Sequence, residues 1–303
     1  MLAMFLLFLL SEPAVAVEGA RFGLMLWANR LLPSLLPFLI LSQLLMKSGY
    51  LDAIMKKIRM TYPHFVLFAG NLFGFPMGAK LTVDLYEQKR LSQKEASLLF
   101  ILSNQMSPAF VGGYILTQTL QRPDLIPVTY LILYAPSVCY ALIQLHRLQI
   151  HDNCRDGSVC ECKKSTSGLQ MNIAVLDAGI MNSFEIMLKL GGYVMLFSVI
   201  TAMCRHFLSS CPTVCTAISG VLEITGAVST INDHFSNTYL KYIAILAATA
   251  FGGCSGIAQT ASIIRTGQTQ FDLSIAAYIR GRILIAVTTA LLAAWVYPLL
   301  SHH

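Results

Sequence analysis

Residues 73–80 read FGFPMGAK, and residues 251–259, in the other half of the chain, read FGGCSGIAQ with the same F-G-x-x-x-G pattern. Both stretches interrupt apolar sequence. Inside a helix, glycine and proline cost about 1 and 3 kcal/mol relative to alanine. In a bilayer, a broken backbone is tolerated only where protein or a water-filled cavity satisfies the freed N–H and C=O groups. We therefore expect the two breaks to surround a polar site.

The composition indicates a membrane protein. Of the 303 residues, 55% are hydrophobic and only 12% are charged, whereas an ordinary soluble domain is about 25% charged. The formal net charge is +6, but lysine and arginine are spread over the loops, where they report membrane orientation. The sequence therefore predicts an all-α polytopic membrane protein and no nucleic-acid partner.

The cysteines do not predict a disulfide framework or a metal site. Eight cysteines are scattered along the chain, and the one group that invites a metal argument is His151, Cys154, Cys160 and Cys162. Structural zinc sites favour C-x2-C pairs, whereas this spacing is irregular and lies in a polar stretch. We expect a loop with reduced thiols, no metal and no cofactor, and the role of these cysteines stays open.

The apolar run from Phe65 to Phe75 has about half of the ~20 residues that a membrane-spanning helix needs. The break that follows leads into a helical but quickly polar sequence, which predicts a re-entrant hairpin near 65–96. The next apolar segment, 97–116, is long enough to span but carries polar residues at its middle. In the second half, the pattern predicts a hairpin near 239–272, followed by a final span near 274–299.

The two halves resemble each other. Residues 23–42 align without gaps on 179–198, which predicts a first repeat over 1–145, a polar cytoplasmic linker over 146–178 and a second repeat over 179–303. With the N-terminus in the cytoplasm, the basic residues of the first half fall inside and the repeats are inverted. The predicted fold is two inverted repeats, each with a re-entrant helical hairpin and an interrupted helix. Interrupted segments in matching positions indicate a transporter binding site at the bilayer midplane.

Candidate site residues lie at the breaks and in two polar stretches of apolar sequence. Helix ends expose N–H groups that attract anionic or hydrogen-bonding ligands, and Glu223 is an ionisable group at membrane depth, which suits proton coupling. The predicted substrate-binding residues are Gly74, Pro76, Gly78, Lys80, Ser103, Asn104, Ser107, Glu223, Thr225, Gly253, Ser255, Gly256 and Gln259.

The candidate residues of the first half can also have structural roles instead of functional ones. Gly74 and Gly78 can serve close helix packing, because small residues four apart are common at membrane helix interfaces. Lys80 can neutralise a substrate carboxylate or pair with Asp84 one turn on. The polar groups near Asn104 can make interhelical hydrogen bonds instead of binding substrate.

The same holds in the second half. Glu223 can be a structural carboxylate capped by Thr225 or nearby backbone, and Ser255 and Gln259 can satisfy the broken backbone. Arg280 and Arg282 are expected to be interfacial residues whose charged ends reach water.

Several motifs resemble a known family. These are G-F-P-M-G-A-K-L-T (74–82), L-S-x-K-E-A (91–96), S-N-x-x-S-P-x-F (103–110), L-E-I-T-G (222–226) and the 251–259 stretch. Together they resemble the sporulation integral membrane protein family of endospore formers, whose members contain the nucleoside-recognition Gate domain. The resemblance implies kinship with concentrative nucleoside transporters, which have two re-entrant hairpins beside two interrupted helices. It also implies a multi-pass protein of the bacterial cell membrane, in the outer forespore membrane during sporulation, that moves dipicolinate.

The function predicted from these observations is transport of a small anionic or heteroaromatic metabolite, with dipicolinate as the candidate. The alternatives are a nucleoside transporter and a non-transporting scaffold protein in sporulation. No H-E-x-x-H or G-x-S-x-G motif is present, so no enzyme activity is expected. The expected partners are a small-molecule substrate, the lipid bilayer and a coupling proton or sodium ion, with homo-oligomerisation left open.

Overall fold

The computed structural model describes residues 2–48, 50–155, 173–266 and 274–300, and every regular element in these ranges is helical. The first half consists of α1 (Leu2–Ser11), α2 (Pro13–Leu26), the π-helical segment π1 (Trp27–Leu31), α3 (Leu32–Lys47), α4 (Tyr50–Ile58), α5 (Tyr62–Phe73), α6 (Met77–Glu87), α7 (Gln93–Leu102), the π-helical segment π2 (Phe110–Thr119), a 3-10 turn (Pro123–Leu125) and α8 (Ile126–Arg155). The second half consists of α9 (Ile173–Phe207), α10 (Pro212–Leu222), α11 (Ile224–His234), α12 (Thr238–Phe251), α13 (Gly253–Thr266) and α14 (Ile275–Leu300).

Within the described ranges, 4 helical segments are long and apolar enough to cross a membrane. They are Pro123–Leu148, Ile173–Phe207, Thr238–Ile264 and Ile275–Leu299. Many large apolar side chains on these helices face outward, and Trp295 on α14 is 71% exposed. Apolar exposure of this kind suits contact with lipid rather than water. The protein is thus an all-α polytopic membrane protein.

A helical hairpin forms around the first break. Helices α5 and α6 pack against each other and are joined by Gly74, Phe75 and Pro76. Gly74 ends α5 with φ of +78°, a conformation that side-chain-bearing residues rarely adopt. The sequence FGFP therefore makes a tight turn between two short helices, within the region predicted to form a hairpin.

The second hairpin lies elsewhere than predicted. Helices α10 and α11 pack closely against each other, and they are separated by a single residue, Glu223, in an extended conformation. Helices α12 and α13, in contrast, continue through Gly252 as one apolar segment, and α13 packs mainly on α9, α10 and α6. The hairpin predicted near 239–272 was wrong in position, because Gly252 redirects the helix without folding it back. Residues 267–273 of that range lie outside the described part.

The packing of α5–α8 recurs in α10–α14. In each half, both hairpin helices contact the first segment of an interrupted helix, which is α7 in the first half and α12 in the second. Across the halves, α6 packs on α13, and α11 packs on π2. Each hairpin therefore packs on the second segment of the other half's interrupted helix. This packing between the halves brings both hairpin tips and both helix breaks to one place.

Helix α9 is a long scaffold against α2 and α3. It passes without interruption through Gly191 and Gly192. The indole of Trp27 lies over Gly191, 2.9 Å from where a Cβ would be, and its Nε1 donates to the Met187 carbonyl at 2.9 Å. The small residue at 191 accommodates this ring. The polar stretch 146–178 is helical at both ends, since α8 extends to Arg155 and α9 begins at Ile173.

Candidate functional site

A cavity of about 260 Å³ lies where the two hairpin tips and the two breaks meet. We call it the central cavity. Its walls combine residues from both halves with apolar residues of α3 and α9. The lining includes Phe75 of the first tip, Met106 and Ser107 of the first break, Phe110, Tyr114 and Gln118 of π2, Glu223 and Thr225 of the second tip, Gly252, Ser255, Gly256 and Gln259 at the second break, and Leu35, Leu190 and Val194 of the scaffold.

The first break, residues 103–107, is held by side chains from distant helices. Unpaired backbone groups are costly in a membrane interior, and four carbonyls of this stretch and its flank find donors. The bonds are Phe75 N to Gln105 O (2.6 Å), Tyr134 OH to Met106 O (2.6 Å), Tyr130 OH to Pro108 O (2.7 Å) and Arg282 Nη1 to Asn104 O (3.1 Å). The unwound backbone is therefore stabilised by hydrogen bonds from α8, α14 and the first hairpin.

Asn104 joins three helices at the first break. Its Nδ2 donates to the Thr260 hydroxyl at 3.1 Å and to the Tyr278 hydroxyl at 3.0 Å, and its Oδ1 accepts from the Ala79 N–H at 3.4 Å. The side chain is fully buried. All its polar atoms have protein partners, so Asn104 fixes the geometry of the break and does not line the central cavity.

Glu223 forms the tip of the second hairpin. Its carboxylate accepts from the N–H groups of Thr225 (3.0 Å) and Gly226 (2.7 Å), so it is the N-cap of α11. A carboxylate at a helix N-terminus is stabilised by these bonds and by the helix dipole. Tyr114 of π2 donates its hydroxyl to the Thr225 carbonyl at 3.0 Å, which ties this tip to the first half. Glu223 is 5% exposed and lines the cavity.

The second break begins with Gly252, which adopts φ of +84°. It turns the chain so that the first turn of α13 faces the central cavity with Ser255 and Gly256. One turn on, the Gln259 Nε2 donates to the Ser255 hydroxyl at 2.9 Å, while its Oε1 is buried without a hydrogen-bond partner. Gln259 thus brings an unsatisfied polar atom to the cavity wall, where a ligand can satisfy it.

Arg282 is buried at the centre of the protein, which corrects its prediction as an interfacial residue. It is 2% exposed. Its Nε donates to the Phe251 carbonyl at 3.1 Å, and its Nη1 donates to the Asn104 carbonyl at 3.1 Å. The guanidinium therefore binds both breaks at once, one from each half. Arg280, two residues earlier, is exposed as predicted.

Lys80 lies outside the central cavity. Its Nζ pairs with Asp84 Oδ1 at 2.5 Å, and Asp84 also accepts from Gln43 Nε2 at 3.1 Å. Lys80 lines a neighbouring cavity of about 140 Å³ together with Pro76, Lys189 and one face of Gln259. We call this the lysine-side cavity. The ion pair with Asp84 is the structural alternative that the sequence left open.

The chain is similar to one curated protein, the sporulation integral membrane protein YlbJ of Bacillus subtilis (strain 168). Identity is 26% over 336 aligned positions, covering 89% of this chain and 77% of the relative. The chain is thus similar to a sporulation integral membrane protein over most of its length. No protein-family model and no solved structure matches the chain.

Six of the predicted site residues line the central cavity, namely Ser107, Glu223, Thr225, Ser255, Gly256 and Gln259. The others are placed behind or beside it. Gly74 and Gly78 pack on the first break, where a Cβ would overlap the backbone of Ser107 or Ser103. Ser103 donates to the Leu99 carbonyl at 2.6 Å within its own helix. Gly253 lies against the second tip, with a Cβ position 3.1 Å from the Leu222 carbonyl.

Sequence reasoning missed several residues of the site. Phe110, Tyr114 and Gln118 supply one wall, but their segment reads as an ordinary apolar span. Arg282 was missed because its partners are carbonyls distant in sequence. The cluster around Cys154, Cys160 and Cys162 lies outside the residues whose side chains are described. Among the described residues, no group of three or more His, Cys, Asp or Glu is placed to hold a metal ion.

Proposed function

We propose that this protein is a membrane transporter whose substrate binds in the central cavity. One observation carries the proposal: three cavities follow one another along the length of α9. The lysine-side cavity contacts Asn182, Ile186 and Leu190, and the central cavity contacts Leu190 and Val194. A third cavity of about 700 Å³, the α2-side cavity, contacts α9 from Ser198 to His206.

The length of α9 that the three cavities contact matches the thickness of a membrane. From Asn182 to Arg205 an α-helix rises about 35 Å, slightly more than the ~30 Å hydrocarbon core of a bilayer. Charged side chains line both end cavities, Lys189 at one end and Arg205 at the other. The middle, at Leu190 and Val194, is apolar and buried. Charged side chains at both ends and a buried apolar middle fit a closed transport path.

Gln259 and Glu223 are polar residues that neighbouring cavities share. Gln259 lines both the central and the lysine-side cavity, and Glu223 lines both the central and the α2-side cavity. One belongs to the second interrupted helix and the other to the second hairpin tip. Movement of these elements opens the central cavity to one end or the other. This supports alternating access between two inverted repeats, the arrangement expected where broken helices meet at the midplane.

The cavity fits a small heteroaromatic metabolite. Its volume of about 260 Å³ lies just below the range of about 300–1,000 Å³ that is usual for drug-sized ligands. Phe75, Phe110 and Tyr114 offer ring faces, and Gln118 and Gln259 offer amides. By analogy with the family resemblance, we propose that the substrate is dipicolinate, carried across the outer forespore membrane. Dipicolinate has this size and an aromatic ring. The amides and rings equally suit a nucleoside, which is the second candidate substrate.

Glu223 gives this transporter a candidate coupling group. A carboxylate in the cavity wall repels an anionic substrate unless a cation accompanies it. A proton or sodium ion that neutralises Glu223 allows both to bind, which couples substrate entry to the ion gradient. The mechanism needs only one copy of the chain, and it is compatible with a homo-oligomer.

The experiment is flux into proteoliposomes that contain the purified protein. Dipicolinate and a panel of nucleosides are compared with and without an imposed proton or sodium gradient. Gradient-driven dipicolinate flux supports the proposal with its first substrate, and nucleoside flux alone supports the path with the second. No flux of any compound from correctly folded protein contradicts transport and favours a scaffold protein of sporulation.

A further inference from the structure

We propose that the first turn of α13, with Arg282 behind it, is a subsite for a carboxylate group of the substrate. The inference rests on the proposed transport function and names the chemical group that the central cavity recognises. Three independent features meet at this place: a helix N-terminus, a buried guanidinium without a counter-ion among the described residues, and a buried amide oxygen without a partner.

The helix N-terminus faces the cavity. The first four N–H groups of an α-helix have no intrahelical acceptor, and together with the helix dipole they attract anions. Helix α13 starts at Gly253, and its first-turn residues Ser255 and Gly256 line the central cavity. Gly256 carries no side chain, and the Phe75 ring packs 3.6 Å from where its Cβ would be.

Arg282 supplies the charge. Its Nε and Nη1 are bound to carbonyls of the two breaks, but its Nη2 has no acceptor among the described residues. This Nη2 lies 3.2 Å from the position that a Cβ of Gly252 would take, and Gly252 lines the cavity. No carboxylate of the described residues is within ion-pair distance of Arg282. A buried and unpaired charge is costly, and an anionic ligand removes that cost.

Gln259 completes the subsite. The side chain is 6% exposed, and its Oε1 has no partner. Rotation of the amide exchanges its oxygen and nitrogen, so that Nε2 can donate to a ligand while Oε1 accepts from the Ser255 hydroxyl. The hydroxyl then holds the amide in place, and the amide nitrogen and the first-turn N–H groups donate toward one ligand group. A carboxylate, with two acceptor oxygens and a negative charge, matches this set.

Glu223 stands on the opposite side of the same break. The Cβ position of Gly253 is 3.4 Å from the Glu223 Cα, whereas that of Gly252 faces Arg282. The subsite is thus positive on one side and negative on the other. The Phe75 side chain packs 3.6 Å from the Cβ position of Gly256. A ligand whose carboxylate faces α13 and whose ring faces Phe75 avoids Glu223.

The test compares two probes of similar size and shape, pyridine-2,6-dicarboxylate and the uncharged pyridine-2,6-dicarboxamide. Binding to the purified full-length protein is measured by calorimetry. We expect wild type to prefer the dicarboxylate by about tenfold or more in Kd. Arg282→Gln abolishes the preference, whereas Arg280→Gln, which removes the same charge from an exposed site nearby, retains it.

Arg282 also holds the two breaks, so Arg282→Gln can fail to fold. In that case Ser255→Ala and Gln259→Leu test the subsite, since both leave Arg282 in place. Each is expected to weaken dicarboxylate binding about threefold or more and to weaken diamide binding less. Equal affinity of wild type for the two probes, or a preference that survives Arg282→Gln or both of these variants, overturns the subsite. Nucleoside flux with no carboxylate preference contradicts the subsite alone, whereas absence of all flux contradicts the proposed function.

Discussion

Arg282 Nη1 donates a hydrogen bond to the main-chain carbonyl of Asn104 at 3.1 Å, across 178 residues of sequence. The same guanidinium binds the Phe251 carbonyl at 3.1 Å. The two interrupted helices therefore share one donor, and neither break keeps its geometry independently of the other. This dependence distinguishes a built site from two separate helix irregularities.

Asn104→Ala is expected to destabilise the protein and to abolish flux. The substitution leaves the Thr260 and Tyr278 hydroxyls without their buried partner, which costs about 1–3 kcal/mol. Thermal unfolding in detergent and proteoliposome flux measure the two effects. The control is Asn71→Ala, because the Asn71 amide donates only to the Leu67 carbonyl of its own helix. Similar losses in the two variants would show that Asn104 has no special role.

Gly78→Ala is expected to disrupt the contact between the first hairpin and the first break. An added Cβ would overlap the Ser103 carbonyl oxygen, and overpacking costs about 1–3 kcal/mol. Gly192→Ala is the matched control, since a Cβ there meets nothing within 4 Å. We expect a lower Tm and a smaller folded yield for Gly78→Ala alone. Equal Tm values would contradict close packing at this point.

Glu223→Gln is expected to remove the dependence of flux on the ion gradient. The amide carries no charge for a cation to neutralise, and loss of the charged cap costs about 1–2 kcal/mol of stability. Asn237→Ala removes another N-cap, which binds the N–H groups of Tyr239 and Leu240 on the exposed surface. That variant should lose comparable stability and keep gradient-driven flux. Gradient dependence that survives Glu223→Gln would exclude Glu223 as the coupling group.

Cysteine labelling tests the path along α9. In a background without the eight native cysteines, Asn182→Cys and Ala202→Cys should react with a membrane-impermeant thiol reagent, each from a different side of the membrane. Water access is required, because the thiolate is the reactive form. Met181→Cys and Leu196→Cys are the controls, since these residues are 64% and 43% exposed on the apolar outer surface. Reaction of both path positions from one side only would contradict a path through the protein.

Much of this architecture follows from the sequence. The low charge content identifies the class, and Gly74, Pro76 and Gly252 identify the first turn and the second break. The second hairpin was misplaced because its turn contains neither glycine nor proline at the break. The turn is made by extended backbone at Glu223, whose own carboxylate caps the next helix. Glutamate is not among the preferred N-cap residues, so no strong local signal marks this turn.

The role of Arg282 and the π2 wall could not be predicted in this way. A lone arginine near the start of an apolar helix is usually drawn to the interface. Its burial here depends on carbonyls that are freed by two breaks elsewhere in the chain. Such long-range satisfaction of the backbone is a property of the tertiary structure and leaves no local pattern.

The most direct test of the central claim is flux after the central cavity is filled. Leu190 lines the central cavity and is 4% exposed, whereas Leu188, two residues away on α9, is 64% exposed. Leu190→Trp places an indole in the path, and Leu188→Trp places the same indole on the outer surface. We predict that, among folded variants, Leu190→Trp loses dipicolinate or nucleoside flux and Leu188→Trp retains it. Equal flux in the two variants would contradict a substrate path through the central cavity.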